Sequence, residues 1–255
     1  MEHRARKRFG QHFLHDRNVI HKIMVAIAPK PGDTLVEIGP GLGAITLPLL
    51  ERAGALIAVE LDRDVIPELE AAAAGKGRLR IIQADALTTD LSAFAPAGGK
   101  LRLLGNLPYN ISTPLLFHFL EQADRISDMH FMLQKEVVQR MAAPPGGKTY
   151  GRLTVMLAAR CRVEPLFNIG AGAFRPPPKV ESAFVRLTPY PTPPFPLSDP
   201  ARFAKLVTQA FSHRRKTLRN ALAGLVDEAA IRAAGLDPSA RPETLTAAEY
   251  ARLSP

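Results

Sequence analysis

The sequence predicts an α/β protein: a Rossmann-like sheet of mostly parallel strands, followed by a small all-α C-terminal domain. Three observations predict it. Short apolar runs alternate with stretches of helical length, the pattern of strand and crossover-helix units. Residues 188–200 read TPYPTPPFPLSDP, too rich in proline for a helix or a central strand, and so form a stiff connector. Every periodic segment beyond that connector is helical.

The elements follow in order. Strands are expected at Thr34–Gly39 (TLVEIG), Ala55–Leu61 (ALIAVEL), Leu79–Ala84 (LRIIQA) and Leu101–Gly105 (LRLLG), with a further one at Met129–Gln134. A later pair around Ala159–Val163 and Ala183–Leu187 closes the sheet. Leu42–Ala53, Arg63–Ala74 and Thr113–Ala123 have the length and periodicity of crossover helices, and Ala95–Gly99 reads as a loop. Beyond the connector, Phe203–Ala223, Glu228–Ala234 and Ala247–Leu253 form the helical domain. The expected domains are therefore residues 1–190 and 198–255.

A chain of 255 residues buries a sizeable core without disulfides or metals. Its one cysteine, Cys161, excludes an intrachain disulfide and reads as core, and no Cys/His set has metal-ligand spacing, so no metal is expected. No stretch has the length of a membrane span, and the charged N-terminus (Met1–Arg8) is unlike an export signal, which points to a soluble, cytoplasmic protein. Lysine and arginine number 33 against 24 acids, a net +9 that favours partners carrying phosphate. Charge alone does not choose nucleic acid.

The motifs narrow the chemistry. The first strand runs into Glu37-Ile38-Gly39-Pro40-Gly41-Leu42-Gly43 ahead of a helix, where glycines let backbone approach a ligand closely. A dinucleotide fingerprint would need glycine at Ala44, so G-x-G-x-G points instead to S-adenosylmethionine; an ordinary tight turn is the alternative. Glu60, near the end of the second strand, suits the two hydroxyls of a ribose, although Asp62 and Asp64 lie close enough to compete. Asp85 follows the third strand, placed to meet an adenine amine, with Ala86 and Leu87 beside the ring.

After the fourth strand comes Asn106-Leu107-Pro108-Tyr109. An aromatic amine is a poor nucleophile, because its lone pair is delocalised into the ring. The Asn106 amide oxygen and a backbone carbonyl such as that of Leu107 can accept both amine hydrogens and turn the lone pair toward an incoming methyl group. Pro108 fixes the turn, and Tyr109 offers a ring face to a flipped-out base. A strand-end Asn-Pro turn with a packed tyrosine is the alternative.

Together with Asn110-Ile111-Ser112-Thr113, Phe9-Gly10-Gln11-His12-Phe13-Leu14, Phe174-Arg175-Pro176-Pro177-Pro178-Lys179-Val180 and the segment from Phe211 to Asn220, these motifs resemble the ribosomal RNA adenine dimethyltransferase family over essentially the whole chain. The resemblance implies an S-adenosylmethionine-dependent methyltransferase sheet. It further implies an enzyme that dimethylates two adjacent adenines in the 3′-terminal hairpin of 16S rRNA within the 30S subunit; separately from the resemblance, a monomer is expected. It places His12 and Leu14 beside the cofactor with Gly39, Gly41, Glu60, Asp85 and Asn106, His12 standing where the family commonly has Asn. It implies that Phe174 holds the target base opposite Tyr109.

Arg214, Arg215, Lys216 and Arg219 fall in the expected helix beyond the connector and, with Arg4, Arg6, Lys7 and Arg8, can hold rRNA phosphates; a solvated helix face is the alternative. A related enzyme acting on large-subunit rRNA and a noncatalytic ribosome-assembly factor are the competing readings.

Overall fold

The computed structural model describes residues 12–254. The chain forms two compact units, one from residues up to Val138 together with Glu164–Pro189, the other from Gln139–Val163 together with Tyr190 onward. Arg4, Arg6, Lys7 and Arg8 lie outside the described residues.

The first unit opens with β1 (Phe13–Leu14) and α1 (Arg17–Ile27). It continues through β2 (Leu35–Ile38), α2 (Thr46–Ala53), β3 (Ala55–Glu60), α3 (Ile66–Ala73), β4 (Arg78–Gln83), β5 (Leu101–Asn106), α4 (Ser112–Glu121) and β6 (Ile126–Gln134). α5 (Lys135–Met141) leads into the second unit, which holds α6 (Arg152–Ala158); β7 (Cys161–Ile169) returns to the first, followed by β8 (Phe174–Arg175) and β9 (Ser182–Pro189). The second unit is completed by α7 (Pro200–Ser212), α8 (Leu218–Ala221), α9 (Glu228–Ala233) and α10 (Ala247–Arg252).

The seven-stranded sheet has the order β4-β3-β2-β5-β6-β9-β7. β4, β3, β2, β5 and β6 pair in parallel, and β9 joins β6 antiparallel. From β2 the chain winds outward through β3 and β4, then crosses back to β5 on the other side. The C-terminal ends of β2 and β5 therefore flank a topological switch point, where open α/β sheets hold their ligands. Ile38 of β2 lies beside Gly105 of β5 in the register. That register needs glycine, because a Cβ on Gly105 would stand 2.4 Å from the Ile38 carbonyl oxygen. β1 and β8 form a separate antiparallel pair, Phe13 opposite Arg175 and Leu14 opposite Phe174.

All four residues of β2 are buried, as expected of a central parallel strand covered on both faces. The core of this unit packs Ile23, Met24 and Ile27 of α1 and Leu49 and Leu50 of α2 against Leu35, Leu56, Leu104, Met132 and Phe184. α1, absent from the sequence-based reading, starts at the Asp16 cap, whose carboxylate accepts from the Asn18 and Val19 N–H groups. Its last carbonyls accept from distant arginines, Ile27 from Arg102 at 2.6 Å and Ala26 from Arg186 at 2.8 Å. Arg102 also pairs with Asp33 and Asp128.

The second unit has its own core of Tyr150, Val155, Phe203, Leu206, Val207, Leu218 and Tyr250, with the Tyr150 hydroxyl donating to the Leu245 carbonyl. Two expectations change here. Residues 139–163, assigned by sequence to the first domain, belong to the second unit, because the apolar face of α6 is buried among helices far along the chain. The helix expected over Phe203–Ala223 ends at Ser212 and resumes at Leu218, so Arg214, Arg215 and Lys216 lie in a turn. Among the described residues no helix is long and apolar enough to cross a membrane.

Candidate active site

A cavity of about 1050 Å³ opens at the switch point, lined entirely by residues of the first unit. His12, Leu14, Gly39, Gly41, Glu60, Asp85, Asn106, Leu107, Pro108 and Tyr109 all border it. Their sequence separation is large: the parallel sheet gathers those from Gly39 to Tyr109, because each follows, or ends, a strand pointing the same way, and the separate β1–β8 pair brings in His12 and Leu14.

The loop between β2 and α2 holds Gly39, Gly41 and Gly43 at positive φ of 65°, 54° and 87°. The Gly43 position is also sterically closed, since a Cβ there would come within 2.8 Å of a Leu69 methyl. β3 ends on Glu60, whose Oε2 accepts from the Gly41 N–H at 3.2 Å and Oε1 from the Asp62 N–H at 2.8 Å. Burial pushes the Glu60 carboxyl above its ordinary range, against the pull of those backbone N–H groups. Neither Asp62 nor Asp64 borders the cavity, so of the three neighbouring acids Glu60 is the one on it. Half-buried Asp85 accepts from the Leu87 N–H at 2.9 Å, which turns the segment after β4 along the cavity wall.

At the end of β5 the Asn106 Nδ2 donates to the His12 carbonyl at 3.0 Å. That bond fixes which way round the amide stands and leaves Oδ1 as the acceptor for a ligand. The His12 ring stacks on Tyr109 with centroids 5.7 Å apart, and its Nδ1–H donates to the Pro176 carbonyl at 2.8 Å. The Tyr109 hydroxyl is hydrogen-bonded to Ser182, and burial raises its pKa while that bond opposes the rise. Leu107 is buried, its N–H bonded to the Met132 carbonyl.

Phe174 departs from its expected place. It is 1% exposed, packs in the hydrophobic core and does not border the cavity. The pairing of β1 with β8 puts Leu14 and Phe174 opposite one another, and both are buried; the neighbouring Arg175 and Pro176 form the wall expected of Phe174.

Sequence reasoning missed Glu37, Glu68, Phe13, His15 and Arg175 on the cavity. Glu37 carried a signal, an acid inside an otherwise apolar strand. It is 2% exposed and accepts from the Thr46 hydroxyl at 2.7 Å. Burial lifts its pKa to about 7, the Thr46 bond works against that, and the nearby Glu60 adds to it. Among the described residues no group of three or more His, Cys, Asp or Glu side chains converges to hold a metal.

In the second unit the basic cluster divides. Arg214 is half-buried and turned inward, donating to the carbonyls of Lys148 at 2.9 Å and Gly147 at 3.1 Å, with Glu243 nearby. It is a clamp on the 147–148 loop rather than a free cation. Arg215 and Lys216 are exposed, and the Arg215 carbonyl accepts from Arg241 at 2.7 Å. Arg219 is exposed beside Glu228, at 3.5 Å.

The sheet and its switch-point loop, with Ala44 where a dinucleotide fingerprint needs glycine, put the protein in the class of Rossmann-like methyltransferases that use S-adenosylmethionine. Comparison with known proteins narrows the class. The model of the ribosomal RNA adenine dimethylase family matches residues 2–254. Ribosomal RNA small subunit methyltransferase A of Pseudomonas aeruginosa is 55% identical over 253 residues, covering 99% of this chain and 94% of the relative. The protein of that name from Nitrosococcus oceani is 55% identical over 252 residues, covering 99% and 96%. Among solved structures, a dimethyladenosine transferase from Plasmodium falciparum superposes with a TM-score of 0.78 at 26% identity, covering 95% of this chain and 96% of that one. The 23S rRNA methyltransferase ErmE does so with a TM-score of 0.74 at 25% identity, covering 94% and 97%. The chain belongs to the ribosomal RNA adenine dimethylase family.

Proposed function

We propose that this protein dimethylates the 6-amino groups of two adjacent adenosines in the 3′-terminal hairpin of 16S rRNA, acting as a cytoplasmic monomer on the 30S subunit during ribosome biogenesis. The observation that carries the reading is the Asn106 amide, held by the His12 carbonyl at the switch point with its oxygen left for a ligand amine. S-adenosylmethionine supplies the electrophilic methyl group. Glu60 takes the ribose hydroxyls and Asp85 the adenine amine of the cofactor, while His12, Leu14, Gly39, Gly41 and Asn106 border its amino-acid end.

Asn106 Oδ1 and the Leu107 carbonyl accept the two hydrogens of the target amine and aim its lone pair at the methyl carbon, a gain of position and electrostatics rather than of strong base catalysis. Pro108 keeps that turn rigid. The base stacks on Tyr109, whose ring is backed by His12 and pinned through Ser182. The new C–N bond forms as the sulfonium C–S bond breaks and S-adenosylhomocysteine leaves; the methylated nitrogen is then acidic and releases its proton to water, so no side chain of tuned pKa is needed. In the second unit Arg215, Lys216 and Arg219 hold rRNA phosphates, with Arg214 shaping the loop beside them.

Similarity to proteins named for small-subunit rRNA supports this substrate over that of ErmE, and intact Glu60, Asp85 and Asn106–Tyr109 support turnover over a noncatalytic assembly role. The test is methyl transfer from labelled S-adenosylmethionine to unmethylated small subunits, large subunits and duplex DNA, with the labelled nucleoside identified by mass spectrometry. Dimethyladenosine confined to small-subunit RNA is expected. Label in large-subunit RNA would refute the substrate, and tight subunit binding without label would refute the enzyme.

A further inference from the structure

We propose that Arg175 is a phosphate holder at the mouth of the active-site cavity, gripping the backbone of the RNA strand whose adenine enters and so keeping that nucleotide out of its stack. The proposal rests on the adenine-methylation reading and adds a positioning residue to it.

Among the described residues Arg175 is the one lysine or arginine that borders the cavity; the other ionisable side chains there are Glu37, Glu60, Glu68, Asp85, Tyr109, His12 and His15. This acidic interior suits a cofactor with a positive sulfonium centre but repels a polyanion, so an RNA strand needs a compensating cation where it crosses the rim. Arg175 is exposed there, and no carboxylate of the described residues pairs with it. Its placement is rigid. Its backbone pairs with Phe13 across β1 and β8, and three prolines follow it.

The same segment touches the target-base end of the cavity. The Pro176 carbonyl receives the His12 ring N–H, the His12 ring stacks on Tyr109, and the His12 carbonyl holds Asn106. A base whose amine reaches Asn106 and whose ring lies on Tyr109 must trail its sugar and phosphates outward toward the rim. A guanidinium there presents a planar fork of N–H donors matched to phosphate oxygens. The competing anion is the carboxylate of the cofactor's amino-acid end. α2 begins on the cavity without a side-chain cap, so the helix dipole already favours an anion at that end.

Extrusion of the base is costly until its contacts form, so losing a contact made only in the extruded state lowers the rate of the bound complex more than its affinity. The experiment uses the full chain with unmethylated small subunits, measuring single-turnover methylation, subunit affinity and cofactor affinity for wild type, R175A and R175K. A small-subunit hairpin RNA carrying 2-aminopurine in place of the target adenosine reports unstacking by fluorescence.

For R175A, methylation at saturating subunit and cofactor should fall about tenfold, as expected for loss of one charge-assisted bond. Both affinities should stay within about twofold, the 2-aminopurine rise should shrink, and R175K should recover part of each loss. The salt dependence of the methylation rate should become shallower by about 0.7 on a log–log plot, one phosphate contact on a single strand. An R175A protein with unchanged rate and fluorescence would overturn the proposal. So would a cofactor affinity weakened about tenfold with the rate restored at saturation, which reassigns Arg175 to the cofactor carboxylate. No adenine methylation by wild type would refute the enzymatic reading itself and the proposal with it, an outcome distinct from a defect confined to R175A.

Discussion

Replacing Glu37 by glutamine should stabilise the protein at neutral pH and remove much of the pH dependence of its stability. The carboxyl is 2% exposed. Burial lifts its pKa from the ordinary 4.5 to about 7, with the Thr46 hydrogen bond opposing and Glu60 reinforcing the rise. Between those two values the folded state keeps a proton that the unfolded chain has released. Stability therefore falls as pH rises through this window and levels off above it. Each pH unit of separation is worth about 1.4 kcal/mol, which puts the loss at about 3 kcal/mol across the window. Glutamine keeps the volume and an oxygen for Thr46 but cannot ionise.

Urea unfolding checks this at about pH 4.5, 6 and 8. The variant should match wild type at the lowest pH and exceed it by about 3 kcal/mol at the highest. Glu60, whose pKa is raised in the same direction, adds a slope of the same sign that both proteins share. A variant less stable than wild type at the highest pH would refute the reasoning, because it would mean that Glu37 is stabilised as an anion in the fold. A cationic cofactor should favour that anion, so binding should release protons near neutral pH in the wild type and not in the variant.

Other substitutions test separate parts of the site. Asn106→Ala should lower turnover about a hundredfold while cofactor affinity, read by calorimetry, changes far less; equal losses would mean that its main work is not on the target amine. Glu60→Ala should weaken cofactor binding by at least about tenfold, and unchanged binding would move the ribose contact elsewhere. Gly105→Ala forces a Cβ to within 2.4 Å of the Ile38 carbonyl oxygen at the centre of the sheet. It should cost about 3 kcal/mol in urea unfolding, and an unshifted midpoint would contradict the β2–β5 register. Charge reversal at Arg215 and Lys216 should weaken subunit binding and flatten its salt dependence, whereas an unaltered slope would leave both as solvated surface.

What the sequence determined by itself was the parallel sheet and the chemistry at its strand ends. Buried parallel strands read as continuous apolar runs closed by turn residues, so β2, β3 and β5 were legible to within a few residues, and the edge strand β4 was legible from Leu79, Ile81 and Ile82. Once they are parallel, the residues that follow them must share one edge, which is why Gly39, Glu60, Asp85 and Asn106 could be named together. Tertiary structure decided what depends on partners far along the chain. Periodicity shows that α6 has an apolar face but not which core covers it, and only packing among Phe203, Leu206 and Val207 gives residues 139–163 to the second unit. A basic run does not say which guanidinium turns inward to bind carbonyls, as Arg214 does at Gly147 and Lys148. Nor does a motif say which of two adjacent residues meets the ligand. In a strand, neighbouring side chains point to opposite faces, and the pairing of β8 with β1 buries Phe174 and turns Arg175 to the cavity.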